Sequence, residues 1–217
     1  MLSAQIGEAF YVFVTLLAML NPIEAAAAFA TLTEGRSASD QAQIARRATI
    51  VATIALIAFA FAGEALLSAL GVEIGAFKIA GGLLLLKVGA DMVFAEKTDR
   101  QTADSAKATA GPASDPSVFP LAIPIITGPG ALTASVALVS PTDAHHYLNG
   151  GIFVLMALIV MAITYVFMRG AQTLTKWFGA TGIDAVGRIV GIIVAAIAVQ
   201  LIVNGVSSLT NLKFHSG

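Results

Sequence analysis

The stretch Leu20-Asn21-Pro22-Ile23-Glu24 has the most chemistry to offer, because it sets an amide, a proline and a carboxylate inside an apolar run over about 6–32. Proline has no amide hydrogen and its ring clashes with the preceding turn, and the residue before it is pushed out of the α region. Asn21 is a good N-cap and Pro22 suits the first helical position. One helix is therefore expected to end near Leu20 and a second to start at Asn21, with its positive dipole end and free amides inside the membrane, ready for an anionic group. Thr127-Gly128-Pro129-Gly130 repeats the feature in the apolar run over about 118–140. An α-amino acid zwitterion could place its carboxylate on such amides and its ammonium on the unwound carbonyls before each break. The candidate substrate-binding set is Asn21, Pro22, Ile23, Glu24, Thr127, Gly128, Pro129 and Gly130, joined by Gln200 and Asn204.

Glu24 is a carboxylate at bilayer depth, costly by on the order of a few kcal/mol and so functional by default. It also stands at N3, where it can reach back to the cap and favour the positive dipole end. Ion coupling and capping are compatible readings. Asp91 is a second candidate for ion coupling, set against a plain i,i+4 pair in which Lys87 snorkels to the interface. Gln200 and Asn204 share a face of the last span and either line a cavity or join helices. Thr127, Thr133 and Ser135 offer hydroxyls to a site or simply pack. Gly81-Gly82, the alanines over 25–28, and Gly187 with Gly191 read as surfaces for close helix approach. Glu64, Glu73 and the pair His145-His146 read as solvated, and the histidines lack other ligand types at metal spacing. Neither a metal nor another cofactor is expected.

These residues must be held by membrane-spanning helices. The chain is 57% hydrophobic and 12% charged with mean hydropathy +0.86, against about 25% charged for a soluble domain. Its net charge of −1 argues against a nucleic-acid surface. Six runs reach membrane length, roughly 6–32, 44–70, 74–95, 118–140, 150–168 and 186–209. None alternates as a strand would. Nine of the twelve basic residues fall in alternate connections: Arg36, Arg46 and Arg47; Lys97, Arg100 and Lys107; Arg169, Lys176 and Arg188. The positive-inside rule then puts both termini outside. Residues 1–95 form a first three-helix repeat, 96–117 a flexible cytoplasmic linker and 118–217 a second repeat, in a single membrane domain over 1–217. Pro22 and Pro129 are 107 positions apart, and Lys78-Ile79-Ala80-Gly81 matches Arg188-Ile189-Val190-Gly191 at an offset of 110. Three spans per half means that the second half is inverted. The expected fold is an all-α membrane protein of six transmembrane helices in a 3+3 inverted repeat, with helices 1 and 4 broken at Asn-Pro and Gly-Pro-Gly.

Leu20-Asn21-Pro22-Ile23 leading into Phe29 and Leu32-Thr33 resembles the opening motif of the MarC family. Pro120-Leu121-Ala122-Ile123-Pro124 followed by Gly128-Pro129-Gly130-Ala131 resembles its central motif. Ala80-Gly81-Gly82 and the run from Gly191 to Gln200, ending at Asn204-Gly205, are similar to its third and sixth spans. The resemblance covers nearly the whole chain. It implies a bacterial or archaeal inner-membrane protein of six spans, from a family in which some members are associated with transport of small neutral amino acids. The chain departs from the usual pattern at Glu24, where the family often has Gly, and at Ala27, where it often has Pro.

Three function classes compete. A secondary transporter or exporter of small polar solutes, neutral amino acids by the resemblance, leads. A non-transporting scaffold or regulator is the alternative. An intramembrane enzyme is disfavoured, because no nucleophile–base pair, HExxH or paired-aspartate motif stands within the spans. No P-loop argues for a primary pump and no ring of charges for a channel. The expected partners are an amino acid-like small molecule and the lipid bilayer, with no nucleic acid, and homo-oligomerisation stays open.

Overall fold

The structure, a computed structural model, describes residues 2–94, 115–139 and 146–210, so most of the expected linker and His145 lie outside the described residues. The side chain of His146 lies outside them as well. The described chain is entirely helical. Its elements are α1 (Leu2–Leu20), α2 (Pro22–Leu32), α3 (Ala38–Ala69), α4 (Ile74–Phe94), α5 (Ser117–Ile126), α6 (Pro129–Leu138), α7 (His146–Arg169) and α8 (Ala171–Thr210).

Local chemistry sets several of these boundaries. Ser37 caps α3 by accepting from the Asp40 amide at 3.1 Å while donating to the Asp40 carboxylate at 2.7 Å, which satisfies an orphan amide and places an acid in the first turn. The far end of α3 closes in a paired bond pattern, Val72 N–H to Leu67 O and Gly71 N–H to Ser68 O. Gly71 takes φ +69° there, a conformation glycine adopts without a Cβ penalty. In α5 the backbone is extended at Phe119 and at Ile123, each the residue before a proline. The ladder there widens, with Leu121 N–H bonded to Pro116 O and Thr127 N–H to Ala122 O. The irregularity of this span thus starts eight residues or more before Pro129, well ahead of the Gly-Pro-Gly step on which the sequence reading centred.

Four stretches are long and apolar enough to cross a membrane: Gln5–Leu32, Ala38–Ala69, Gly150–Arg169 and Ala185–Thr210. The bent pair α5 and α6 makes a fifth if counted as one span. The 21-residue α4 has the length, but Lys78, Lys87 and Asp91 fall within it. Between positions 169 and 186, where the sequence suggests a connection, the chain continues as helix into α8, a 40-residue element. Side chains such as Phe10, Ile54, Phe61, Leu83, Leu155 and Ile192 stand exposed on the outer faces, as a lipid-facing surface requires.

Two cores hold the bundle. In the larger, α3 presents Ala45, Ala48, Ala52, Leu56 and Ala60 at helical spacing to Phe153, Ala157 and Val160 of α7, with Leu16, Phe29, Leu121 and Ile126 closing the cluster. The other is the seam between α4 and α8. A Cβ on Gly75 would meet Leu209, one on Gly82 would lie 2.9 Å from Ala198 O, and one on Gly89 would lie 2.9 Å from Gly191 O. As the number rises on α4 it falls on α8, so the helices run antiparallel with backbones in contact. Glycines or alanine recur every seven residues on both sides, at Gly75, Gly82 and Gly89 and at Gly191, Ala198 and Gly205. Small residues at this repeat are what close approach without a hydrophobic driving force demands.

Candidate functional site

At the first break, Asn21 is buried and adopts φ 38°, ψ 76°, the left-handed conformation that asparagine tolerates better than most residues. Its side-chain oxygen accepts from Glu24 N–H at 3.5 Å, and its amide nitrogen donates to the Glu24 carboxylate at 2.9 Å. The same nitrogen lies 3.8 Å from the Met92 sulfur of α4. Glu24 thus reaches back to the side chain of the cap. The backbone amide of Asn21 is already spent on Leu17 O at 3.1 Å, and Ala25 N–H returns to Asn21 O at 3.0 Å. Hydrogen bonding is carried across the step, and α1 with α2 forms a single candidate span. Pro22 is buried at the first helical position, and Ile23 and Glu24 are half-buried.

The second break has a different geometry. Thr127 spends both its amide and its hydroxyl on Ala122 O, at 2.9 and 2.7 Å, so that hydroxyl is not free for a ligand. Gly128 is extended at φ −66°, ψ 165°, α6 starts at Pro129, and Leu132 N–H returns to Gly128 O at 3.2 Å. Across this step α5 and α6 bend by 64°. The two motifs read as copies in sequence, yet one is a capped step in a continuing span and the other a corner. Gly128 has room for a Cβ, with Pro124 O at 3.5 Å, while a Cβ on Gly130 would run into Leu85 of α4.

The remaining candidates separate. Lys87 and Asp91 form the i,i+4 pair at 2.7 Å, with the lysine side chain largely exposed. Gln200 donates to Asn204 at 2.9 Å, and both line a polar cavity of about 210 Å³ walled by α1, α4, α6 and α8. Asn21, Glu24, Thr127, Gly128 and Gly130 do not line it, although Met19, two residues before the first break, does.

The cavity draws on residues that the sequence reading passed over: Glu8, Tyr11 and Thr15 of α1 and Lys78 of α4. Among the described residues, neither Glu8 nor Lys78 has an ion-pair partner. Thr15 is 4% exposed and its hydroxyl makes no hydrogen bond among the described residues. By contrast Thr31, Thr33, Thr49, Thr53 and Thr164 all donate to the carbonyl four residues back. A signal for the α1 residues was present: Glu8, Tyr11, Thr15 and Met19 fall three or four positions apart, one stripe along a helix. Lys78 is recognisable in sequence only as a charge just inside a span. Two opposite charges, a phenol, a hydroxyl and two carboxamides in one compact space can hold a solute that itself carries both charges. At roughly 30 Å³ per water, the volume of about 210 Å³ corresponds to about seven waters, well under the pockets of drug-sized ligands.

Residues 6–210 match a family described as MarC family integral membrane protein. The chain is similar to a UPF0056 membrane protein of Methanocaldococcus jannaschii, 35% identical over 197 residues that make up 89% of this chain and 93% of the relative. It is also similar to the UPF0056 membrane protein YvbG of Bacillus subtilis, 32% identical with 92% and 94% covered. The UPF0056 membrane protein YhcE of Escherichia coli is 28% identical with 92% of each chain covered. No solved structure matches the chain.

Proposed function

We propose that this chain, which belongs to the MarC family of integral membrane proteins, is a secondary transporter of small polar solutes of the neutral amino acid class. The observation that carries the reading is the polar cavity, with Glu8 on α1 and Lys78 on α4 both without an ion-pair partner among the described residues, and Gln200 and Asn204 beside them. A zwitterion would supply a carboxylate to Lys78 and an ammonium to Glu8. The Thr15 hydroxyl, without a hydrogen bond among the described residues, adds a further polar group to the wall. The half-helix starts at Asn21-Pro22-Ile23-Glu24 and Thr127-Gly128-Pro129-Gly130 lie outside this cavity; in this reading they form a further station for the solute, and the Glu24 carboxylate couples its movement to an ion.

The architecture behind this reading is the 3+3 inverted repeat. Its first half is α1 with α2, then α3 and α4; its second is α5 with α6, then α7 and α8. The antiparallel α4–α8 seam supports it, since that is how the last helices of two oppositely inserted halves pair. The distribution of Lys and Arg supports a plasma (inner) membrane orientation with both termini outside. On that orientation the cavity, which includes Glu8 near the start of α1, lies toward the outer side.

The test is binding of L-amino acids to purified protein by thermal shift, followed by uptake into proteoliposomes. A ligand that binds the native state alone raises apparent stability. Lys78→Gln and Glu8→Gln should each weaken binding roughly tenfold or more, the scale of one hydrogen bond to a charged group, with the unliganded melting temperature little changed. An amine lacking the carboxylate should be indifferent to Lys78→Gln. Equal binding by wild type and both variants, or no amino acid bound at all, refutes the reading.

A further inference from the structure

A second concavity, sharing no residue with the polar cavity, lies between α3 and α7. It is an open groove of about 520 Å³ lined by Arg46, Ile50 and Ile54 on α3 and by Leu158, Ala162 and Tyr165 on α7, with few polar atoms in its walls. Residues facing each other across it run in opposite directions, from Arg46 and Tyr165 at one end to Ile54 and Leu158 at the other. At 1.5 Å per residue, the α3 wall from Arg46 to Ile54 is about 12 Å long.

The charged end of this groove is unusual in its pairing. Arg47, the next residue, is bonded to Asp115 at 2.7 Å. Arg46 is exposed and, among the described residues, has no acid or hydrogen-bond partner. Arg46 and Arg47 also end the charge-free stretch of α3, which runs from there to Glu64, and Arg169 ends that of α7 one turn after Tyr165. Arg46 and Tyr165 therefore stand at the depth where a bilayer changes from acyl chains to headgroups, the level that arginine and tyrosine favour.

The geometry points to a binding site for one anionic phospholipid of the leaflet that the N-terminal end of α3 faces. Its phosphate sits on the Arg46 guanidinium, and one acyl chain lies along Ile50, Ile54, Leu158 and Ala162. Guanidinium binds phosphate oxygens through paired donors. Among the described residues no acid competes for Arg46, so a net-negative headgroup is favoured over a zwitterionic one. This site is separate from the polar cavity and does not rest on the transport reading.

The experiment compares phosphatidylglycerol with phosphatidylcholine retained by the full chain after exchange from mixed vesicles into mild detergent, measured by quantitative lipid mass spectrometry. Wild type should favour phosphatidylglycerol about fivefold, the contribution of one basic residue near an anionic surface. Arg46→Gln should bring the ratio to about one. Arg47→Gln, which removes the same charge one position away, should leave it within twofold of wild type. Ala162→Phe places a ring in the open groove without touching a charge and should reduce retention of both lipids. Circular dichroism and melting temperature confirm that each variant is folded. Equal losses in Arg46→Gln and Arg47→Gln would mean diffuse surface attraction and overturn the site. So would a folded Ala162→Phe that retains lipid as wild type does, or one that changes only the oligomeric state, which would assign the groove to a second copy of the chain.

Discussion

Gly89→Ala on the α4–α8 seam should destabilise the protein and loosen the polar cavity together. A Cβ at Gly89 would lie 2.8 Å from Ala195 N, 2.9 Å from Gly191 O and 3.1 Å from Ala195 Cα, all backbone atoms that no rotamer change can move. Reaching ordinary contact at 3.4 Å requires the helices to part by about half an ångström. Overpacking of this kind costs on the order of 1–3 kcal/mol. Alanine's better helix propensity returns roughly 0.5–1 kcal/mol of that. A net loss of about 1–2 kcal/mol corresponds to a fall of roughly 3–6 °C in melting temperature for a chain of this size. Gly187→Ala is the matched control, because among the described residues nothing lies within 4 Å of its Cβ. It keeps only the propensity gain and should melt at or slightly above wild type. Since α4 carries Lys78 and α8 carries Gln200 and Asn204, Gly89→Ala should also weaken amino acid binding, whereas Gly187→Ala should not. The assay is thermal unfolding in detergent with and without ligand. Gly89→Ala melting with Gly187→Ala would refute backbone contact at the seam.

At the first break, Asn21→Ala should cost about 1–2 kcal/mol by losing the cap, and Asn21→Gly less, since glycine accepts the left-handed backbone; equal melting temperatures would count against the cap. The unequal breaks predict that Pro22→Ala, in a continuing span, alters amino acid uptake less than Pro129→Ala at the 64° corner, and comparable losses would contradict it. The Asp115 carboxyl is pushed up by slight burial, but hydrogen bonding from Ser117 and the Arg47 guanidinium outweighs this and holds it below the usual carboxylate range. Its stabilising contribution is therefore present above about pH 3.9, the ordinary value, and is lost as pH falls through the lowered one. Because the pair is exposed, a double-mutant cycle on Arg47 and Asp115 should give no more than about 1 kcal/mol, shrinking with salt, and a larger salt-insensitive coupling would refute this.

By itself the sequence determined the membrane setting, the helical class and the positions at which regular helix must yield. Those follow from short-range rules: a bilayer's thickness sets the length of apolar runs, and Pro22 lacks a donor wherever it sits in space. The cap at Asn21, the Lys87–Asp91 pair and the Gln200–Asn204 contact were legible for the same reason, since each joins residues three or four apart on one helix. Identical local rules could not say how far each break bends the chain. That depended on whether hydrogen bonds bridge the step, as at Asn21, or are drawn back to Ala122 O, as at Thr127. Nor could they bring Glu8 near Lys78, or separate Gln200 and Asn204 from Glu24. Those relations join residues tens of positions apart and exist only once α4 and α8 close on their glycines, because backbone approach at Gly82, Gly89 and Gly205 decides which side chains the neighbouring helices can bring to one cavity.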